Sequence, residues 1–199
     1  TRLVGPVDIE FCAGNVILIT GASGAGKSVL LDQLAAVEHA GLSLRGSIAR
    51  CGKTGFLKPL PERVPILQYF GERYGAESAF DALCRVGLSE AMVFIKPFSV
   101  LSMGQRYRAM LASLLLSKSD IWFIDEFCAN LDPITASTIA SQIRRLAKKR
   151  GAIVVAAAAN TTHFIADFSP DRVLVVRTGG DVMNLTTREY RNGFFEKGL

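Results

Sequence analysis

Three short stretches carry residue types whose spacing could do chemistry. Gly21-Ala22-Ser23-Gly24-Ala25-Gly26-Lys27-Ser28 fits the pattern GxxxxGK[ST], and Val29 opens the apolar helical pattern behind it. Glycines at those positions let backbone N–H groups close around phosphate oxygens, and a helix N-terminus adds a favourable partial charge. Lys27 can reach β and γ phosphates, and the Ser28 hydroxyl can ligate Mg²⁺. The second stretch is Asp125-Glu126, which closes the apolar run Ile121-Trp122-Phe123-Ile124. An acid there emerges at the carboxyl edge of a sheet, where ligands bind in open α/β folds. Asp125 suits the Mg²⁺ side of such a site, and Glu126 can take a proton from an attacking water. The third stretch, Leu101-Ser102-Met103-Gly104-Gln105, stands at the start of a helical pattern. A Ser hydroxyl and backbone N–H groups at a helix N-terminus make an anion site without any catalytic group of their own. Each stretch also has a plain reading, as a Gly-rich turn, a capping acid pair and a helix cap.

The elements around these residues decide between the readings. Val16-Ile17-Leu18-Ile19 is a continuous apolar run of the kind that forms a buried parallel strand, and the Gly-rich loop follows it directly. Val29, Leu30, Leu31, Leu34 and Ala35 then repeat at helical spacing. Strand, loop and helix in that order are the setting a phosphate-binding loop requires. Val7, Ile9 and Phe11 alternate with polar residues as in a half-buried strand, residues 46–57 read as short strands with turns, and Pro59, Pro61 and Pro65 mark a loop. Helical patterns run over 66–74, over 77–86 with a stop at Gly87, and from Ser102 to Ser117. Asp132-Pro133 is a capped helix start whose apolar stripe leads to a stop at Gly151, and 152–158 and 172–176 are two more buried strands. Alternating strands and helices predict a mostly parallel sheet covered on both faces.

The order of motifs resembles the ABC-type ATPases. Leu101 to Gln105 resembles that family's LSGGQ signature, with Met103 in place of a glycine, and Asn130-Leu131-Asp132 after the Asp-Glu pair resembles its D-loop. The resemblance implies an α/β, three-layer P-loop NTPase fold. It would have a mostly parallel sheet, a small antiparallel β part at the N-terminus and a helical subdomain that carries the signature. It also implies one ATPase domain over 1–199, with a core at about 1–57 and 118–199 and the helical part at about 58–117. ATP and Mg²⁺ would be the ligands. In such a head-to-tail dimer, Ser102 and Gly104 act in trans on ATP held by the phosphate loop of another subunit.

Several positions depart from that family's pattern. The strand before the helical part ends Gly55-Phe56-Leu57-Lys58, with no Gln at the place of the family's Mg²⁺ and coupling contact, so Lys58 stands there. Gln68 lies too far on. The family's switch His follows the strand at 152–158; counting from Gly151 favours Asn160, with His163 as the alternative. Asn can hydrogen-bond a phosphate or water but cannot become cationic, which predicts slow hydrolysis. The interval from Lys27 to Ser102 is short for importers and exporters, and Phe11 lies too close to the loop to be assigned to adenine.

Composition narrows the class and little more. The 199 residues are 49% hydrophobic, enough for one sizeable core, while no apolar run is long enough to cross a bilayer. Cys12, Cys51, Cys84 and Cys128 show no metal-ligand spacing and read as thiols of a reducing cytoplasm. A formal charge of +5 suits an anionic partner without selecting one. The cations from Arg144 to Arg150 read as a solvated helix end, His39 as a helix-end partner, and Phe194 and Phe195 as a docked tail. Thr1 in place of Met reads as a chain excised from a longer one. The leading expectation is therefore an ABC ATPase that drives a non-transport or fused partner, most resembling the small ones joined to a predicted acetyltransferase domain. The alternatives are the ATP-binding subunit of a membrane transporter and an ATP-dependent switch on nucleic acid.

Overall fold

A computed structural model describes residues 8–35 and 52–193. His39, Cys51, Phe194, Phe195 and residues 46–51 of the strands expected over 46–57 lie outside those residues, while the strand Thr54–Phe56 falls within 52–57. Within them, 8–12 form no ladder. Val7 lies outside the described residues, and Ile9 and Phe11 pack half-buried against the apolar core, so their alternation with Asp8 and Glu10 reflects burial of one side of an irregular segment.

Among the described residues six strands form one sheet in the order β2-β3-β4-β1-β5-β6. The strands are β1 (Val16–Thr20), β2 (Thr54–Phe56), β3 (Ile121–Ile124), β4 (Ile153–Ala157), β5 (Arg172–Val176) and β6 (Val182–Leu185). All neighbours pair in parallel except β5 and β6, whose antiparallel ladder sets Val173 opposite Leu185. The small antiparallel part among the described residues is thus at the C-terminal edge. The sequence reading missed β6 because Val182-Met183-Asn184-Leu185 is short, half-exposed and without a clean period.

Both faces of the sheet are covered, as its near-continuous apolar strands require. Ile17, Ile19, Phe123, Val155, Ala157 and Leu174 point to one face and meet Leu30, Leu31 and Ala35 of helix α1 (Lys27–Ala35). Val16, Leu18, Trp122, Ile124, Val154 and Ala156 point to the other. That second face packs against α6 (Pro133–Arg150), which buries Ala136, Ile139, Ala140, Ile143, Leu146 and Ala147 at helical spacing. Burial of each of the larger aliphatic side chains contributes about 1.5–3 kcal/mol.

The same apolar cluster extends into α2 (Ile66–Tyr74), α3 (Ala76–Arg85), α4 (Ala91–Phe94) and α5 (Met103–Leu116). Further on are α7 (Ile165–Phe168) and α8 (Thr187–Arg191). Caps fix the helices that matter for the site. At α6 the Asp132 carboxylate accepts from the Thr135 N–H at 2.9 Å, Pro133 fills the first turn, and Gly151 ends the helix at φ 68°.

Candidate functional site

Three adjacent strands, β3, β4 and β1, end at one edge of the sheet. Ile19 pairs with Ala157 and Ile124 with Ala156, so the residues that follow them emerge side by side. Those residues are the Gly21 loop, Asp125-Glu126 and the segment Ala158-Ala159-Asn160. They line one cavity of about 690 Å³, with Ser23, Gly24, Gly26, Lys27, Ser28 and Val29 on one side. Asp125 to Leu131, Ala136, Ala157 to Asn160, His163 and Phe164 form the rest of the wall. Parallel register at the carboxyl edge is what brings together acids and a loop that lie a hundred residues apart in sequence.

The loop begins where no side chain fits. Gly21 has φ 142°, and a Cβ there would overlap the Val176 carbonyl oxygen of β5. Behind it the Leu30 N–H donates to the Gly26 carbonyl at 2.9 Å, so helix order starts within the loop itself. The Lys27 ammonium turns back and donates to the carbonyl oxygens of Gly21 at 3.0 Å and Ala22 at 2.7 Å. A cation resting on its own loop's carbonyls, beside a helix N-terminus, is a cradle suited to an anion. Ser28 and Asp125 share the cavity wall with it. A hydroxyl and a carboxylate are the hard oxygen donors that Mg²⁺ accepts, so the residues present fit a Mg²⁺-bound phosphate.

Glu126 is exposed at the mouth of the cavity and has φ 48°, with its N–H donating to the Asp125 carboxylate at 2.9 Å. Cys128 and Asn130 also have positive φ, 58° and 64°. Non-glycine residues in that region cost about 1–3 kcal/mol each, so the segment is held by its surroundings. Phe127 is buried and donates its N–H to Ala157 at 2.7 Å. Burial pushes the Cys128 thiol up to about 12. Burial is also the main cause that raises the Tyr107 hydroxyl well above its ordinary value, with the neighbouring Cys128 adding to it. At Asp132, hydrogen bonds from the Thr135 side chain and N–H hold the carboxyl below the ordinary range.

Both candidates for the switch position reach the cavity wall. Asn160 accepts from the Thr162 N–H at 3.0 Å through its side-chain oxygen, and His163 stands three residues on in the same turn. Geometry does not separate them. Lys58 takes another course: its ammonium lies 5.0 Å over the Phe56 ring, and it does not line the cavity.

The stretch from Leu101 to Gln105 lies away from this wall. Leu101 is buried, Ser102 caps α5, and Met103 is exposed. The Ser102 hydroxyl accepts from the Gln105 N–H at 3.3 Å while the Gln105 side chain accepts from the Ser102 N–H at 3.0 Å, a reciprocal capping box. A Cβ on Gly104 would stand 2.9 Å from Thr135 Cγ2, so only glycine lets the α5 N-terminus approach α6 this closely. Arg106 donates to the Leu101 carbonyl at 3.0 Å and stacks over Phe98. It holds the turn that presents Ser102. Tyr107 and Phe127 were missed as well, because a buried aromatic reads as core until its partners are known.

Cations of the α6 end are largely occupied. Arg144 and Lys148 pair with Asp171 at 3.3 and 3.5 Å, and Arg150 donates to the Leu115 carbonyl at 2.6 Å. Among the described residues no group of side chains could hold a metal cluster, and no helix is long and apolar enough to cross a membrane.

Residues 4–129 match the family described as ABC transporter. The cytochrome c biogenesis ATP-binding export protein of Chelativorans sp. (strain BNC1) is 35% identical over 75% of this chain and 81% of that protein. Its counterpart in Xanthomonas oryzae pv. oryzae (strain MAFF 311018) is 33% identical over 80% and 78%. Among solved structures, a cbiO1 protein from Clostridium perfringens, part of the ABC transporter complex cbiONQ, superimposes with TM-score 0.78. It is 20% identical over 96% of this chain and 85% of that one. A putative metal-chelate type ABC transporter in an inward-facing conformation gives 0.76 at 20% identity, over 92% and 76%.

Proposed function

Since this chain belongs to the ABC transporter family of ATPases, we propose that it is the ATP-binding subunit of an ABC transporter, working with a membrane-spanning partner at the cytoplasmic face. As a member of that family it binds ATP with Mg²⁺ and hydrolyses the nucleotide to ADP and phosphate. The observation that carries the transporter reading is the kinship with ATP-binding export proteins over three quarters of the chain. That kinship reverses the preference for a non-transport or fused partner that the short helical insert and the absent Gln suggested, and nothing in it favours nucleic acid.

In this reading the loop from Gly21 to Val29 holds the phosphates through its N–H groups, and Lys27 leaves the Gly21 and Ala22 carbonyls to meet the β and γ oxygens. Ser28 and Asp125 would hold Mg²⁺, whose positive charge would offset that of the phosphates. Glu126 takes a proton from the water that attacks the γ-phosphorus. As that O–P bond forms, the bond to the β–γ bridging oxygen breaks and ADP leaves. Asn160, or His163 in its stead, orients the γ-phosphate or the water.

The signature from Leu101 to Gln105, remote from its own chain's cavity, closes over the nucleotide of a second copy, with Ser102 and Gly104 towards the γ-phosphate. Asp132 secures the D-loop turn between the two copies. The residues near 58–117 form the helical part that meets the membrane partner. Cells expressing the tagged protein test the reading. It should sediment with membranes, be released by alkaline washing, and cross-link to an integral membrane protein in the presence of ATP. A protein confined to the soluble fraction, with no such cross-link, overturns the transporter role and leaves the ATPase standing.

A further inference from the structure

Every second residue from Glu126 to Asn130 has a positive φ, and no glycine occurs in the run. Such a segment drifts back to ordinary backbone unless neighbours hold it. Two neighbours do. The Cys128 N–H donates to the Tyr107 hydroxyl oxygen at 3.4 Å. The Phe127 ring is packed against Phe164 at 4.8 Å and Phe168 at 4.6 Å between centroids. The contacts reach different elements. Tyr107 stands on α5, the helix that begins with the Ser102 cap, and its ring also meets Phe127 edge-on at 6.3 Å. Phe164 closes the turn that carries Asn160 and His163, its N–H donating to the Thr161 carbonyl at 3.2 Å.

We propose that Tyr107 is a positioning residue: its hydroxyl oxygen, by accepting from the Cys128 N–H, holds Glu126 over the nucleotide cavity and passes a shift of the signature helix on to that carboxylate. The inference rests on Glu126 as the proton acceptor. Its chemistry is local. Without the acceptor at Tyr107, the Cys128 N–H loses its partner in a buried place, and the strained run has one restraint fewer. Glu126 then leaves its working position, while the phosphate loop, which Tyr107 does not touch, binds nucleotide as before.

Tyr107→Phe separates the hydroxyl from the ring, which goes on filling the core. Turnover of ATP should fall about 5- to 20-fold, the scale on which small misplacements of a catalytic group act. The ATP concentration for half-saturation and the nucleotide-binding stoichiometry should change less than about twofold, since ground-state contacts are untouched. Alkylation at Cys128, followed by mass spectrometry of its peptide, should accelerate as its backbone loosens. Turnover within twofold of the parent overturns the proposal, and so does a fall in turnover matched by an equal fall in binding stoichiometry. Glu126→Gln, measured alongside, keeps the two readings apart. If that variant hydrolyses normally the role of Glu126 fails, and if it is inactive while Tyr107→Phe is not, only the coupling fails.

Discussion

The Lys27 ammonium lies 2.7 Å from the carbonyl oxygen of Ala22, a residue of the loop it is meant to serve. The loop's own carbonyls thereby stand where phosphate oxygens would compete for the cation. Exchange of one set of oxygens for the other costs little, because both are charge-assisted acceptors at the same helix N-terminus. Lys27→Ala removes the cation and keeps the backbone cradle. ATP affinity by equilibrium titration is expected to fall at least about tenfold, equivalent to about 1.4 kcal/mol, and hydrolysis to become undetectable. Unchanged affinity would remove Lys27 from the site.

Glu126→Gln keeps size and hydrogen-bonding capacity and removes the proton acceptor. We expect turnover to drop by about 10²- to 10⁴-fold with nucleotide binding retained. Because hydrolysis no longer ends the closed state, light scattering should record a dimer in MgATP and a monomer after chelation of Mg²⁺ by EDTA. A variant that stays monomeric in MgATP at high concentration would argue against a site shared between two copies.

Ser102 both caps α5 and is proposed to meet a phosphate in trans, and the two roles can be separated. Ser102→Ala should lower stability by about 1 kcal/mol through loss of the cap. Ser102→Asp retains the cap and suits the helix dipole, yet sets a negative charge against the incoming γ-phosphate. Near-parental melting with hydrolysis lost is the expected outcome for the Asp variant. Hydrolysis that follows stability in both variants would reduce Ser102 to a cap.

Asn160 and His163 share one turn and one cavity wall, so their variants must decide between them. Asn160→Ala is expected to slow turnover at least about tenfold, the effect of losing one oriented hydrogen bond to a developing charge, and His163→Ala by less than about twofold. The reverse order would move the switch to His163.

Burial raises the Cys128 thiol to about 12, whereas the unfolded thiol ionises near 8.5. Between those values the unfolded chain has lost the proton that the folded chain retains. The contribution of this group is therefore constant below about pH 8.5 and declines as pH rises towards 12. Alkylation should mark the exposed Cys12 quickly at pH 8 and leave Cys128 intact until the chain unfolds. Rapid labelling of native Cys128 at pH 8 would contradict the buried environment.

Local chemistry by itself determined much of this protein. Gly21 to Ser28, the acids closing Ile121 to Ile124, the Asp132-Pro133 helix start and the Ser102-Gln105 spacing each specify their own backbone within a few residues. A sequence read along one dimension can show them. The strand expected at 7–11, where residues 8–11 form no ladder, and the missed β6 mark where that reading ends, since short segments with mixed burial have no decisive period. Tertiary structure alone decided what meets what. Parallel register brings the ends of β1, β3 and β4 to one cavity while leaving the signature outside it. The same long-range packing sets Tyr107 against Cys128 and Phe127 against Phe164, contacts between residues 21 and 37 positions apart. Burial and strand order are properties of the whole chain, and they turn an unremarked core tyrosine into a partner of Cys128, two residues from the proposed proton acceptor Glu126.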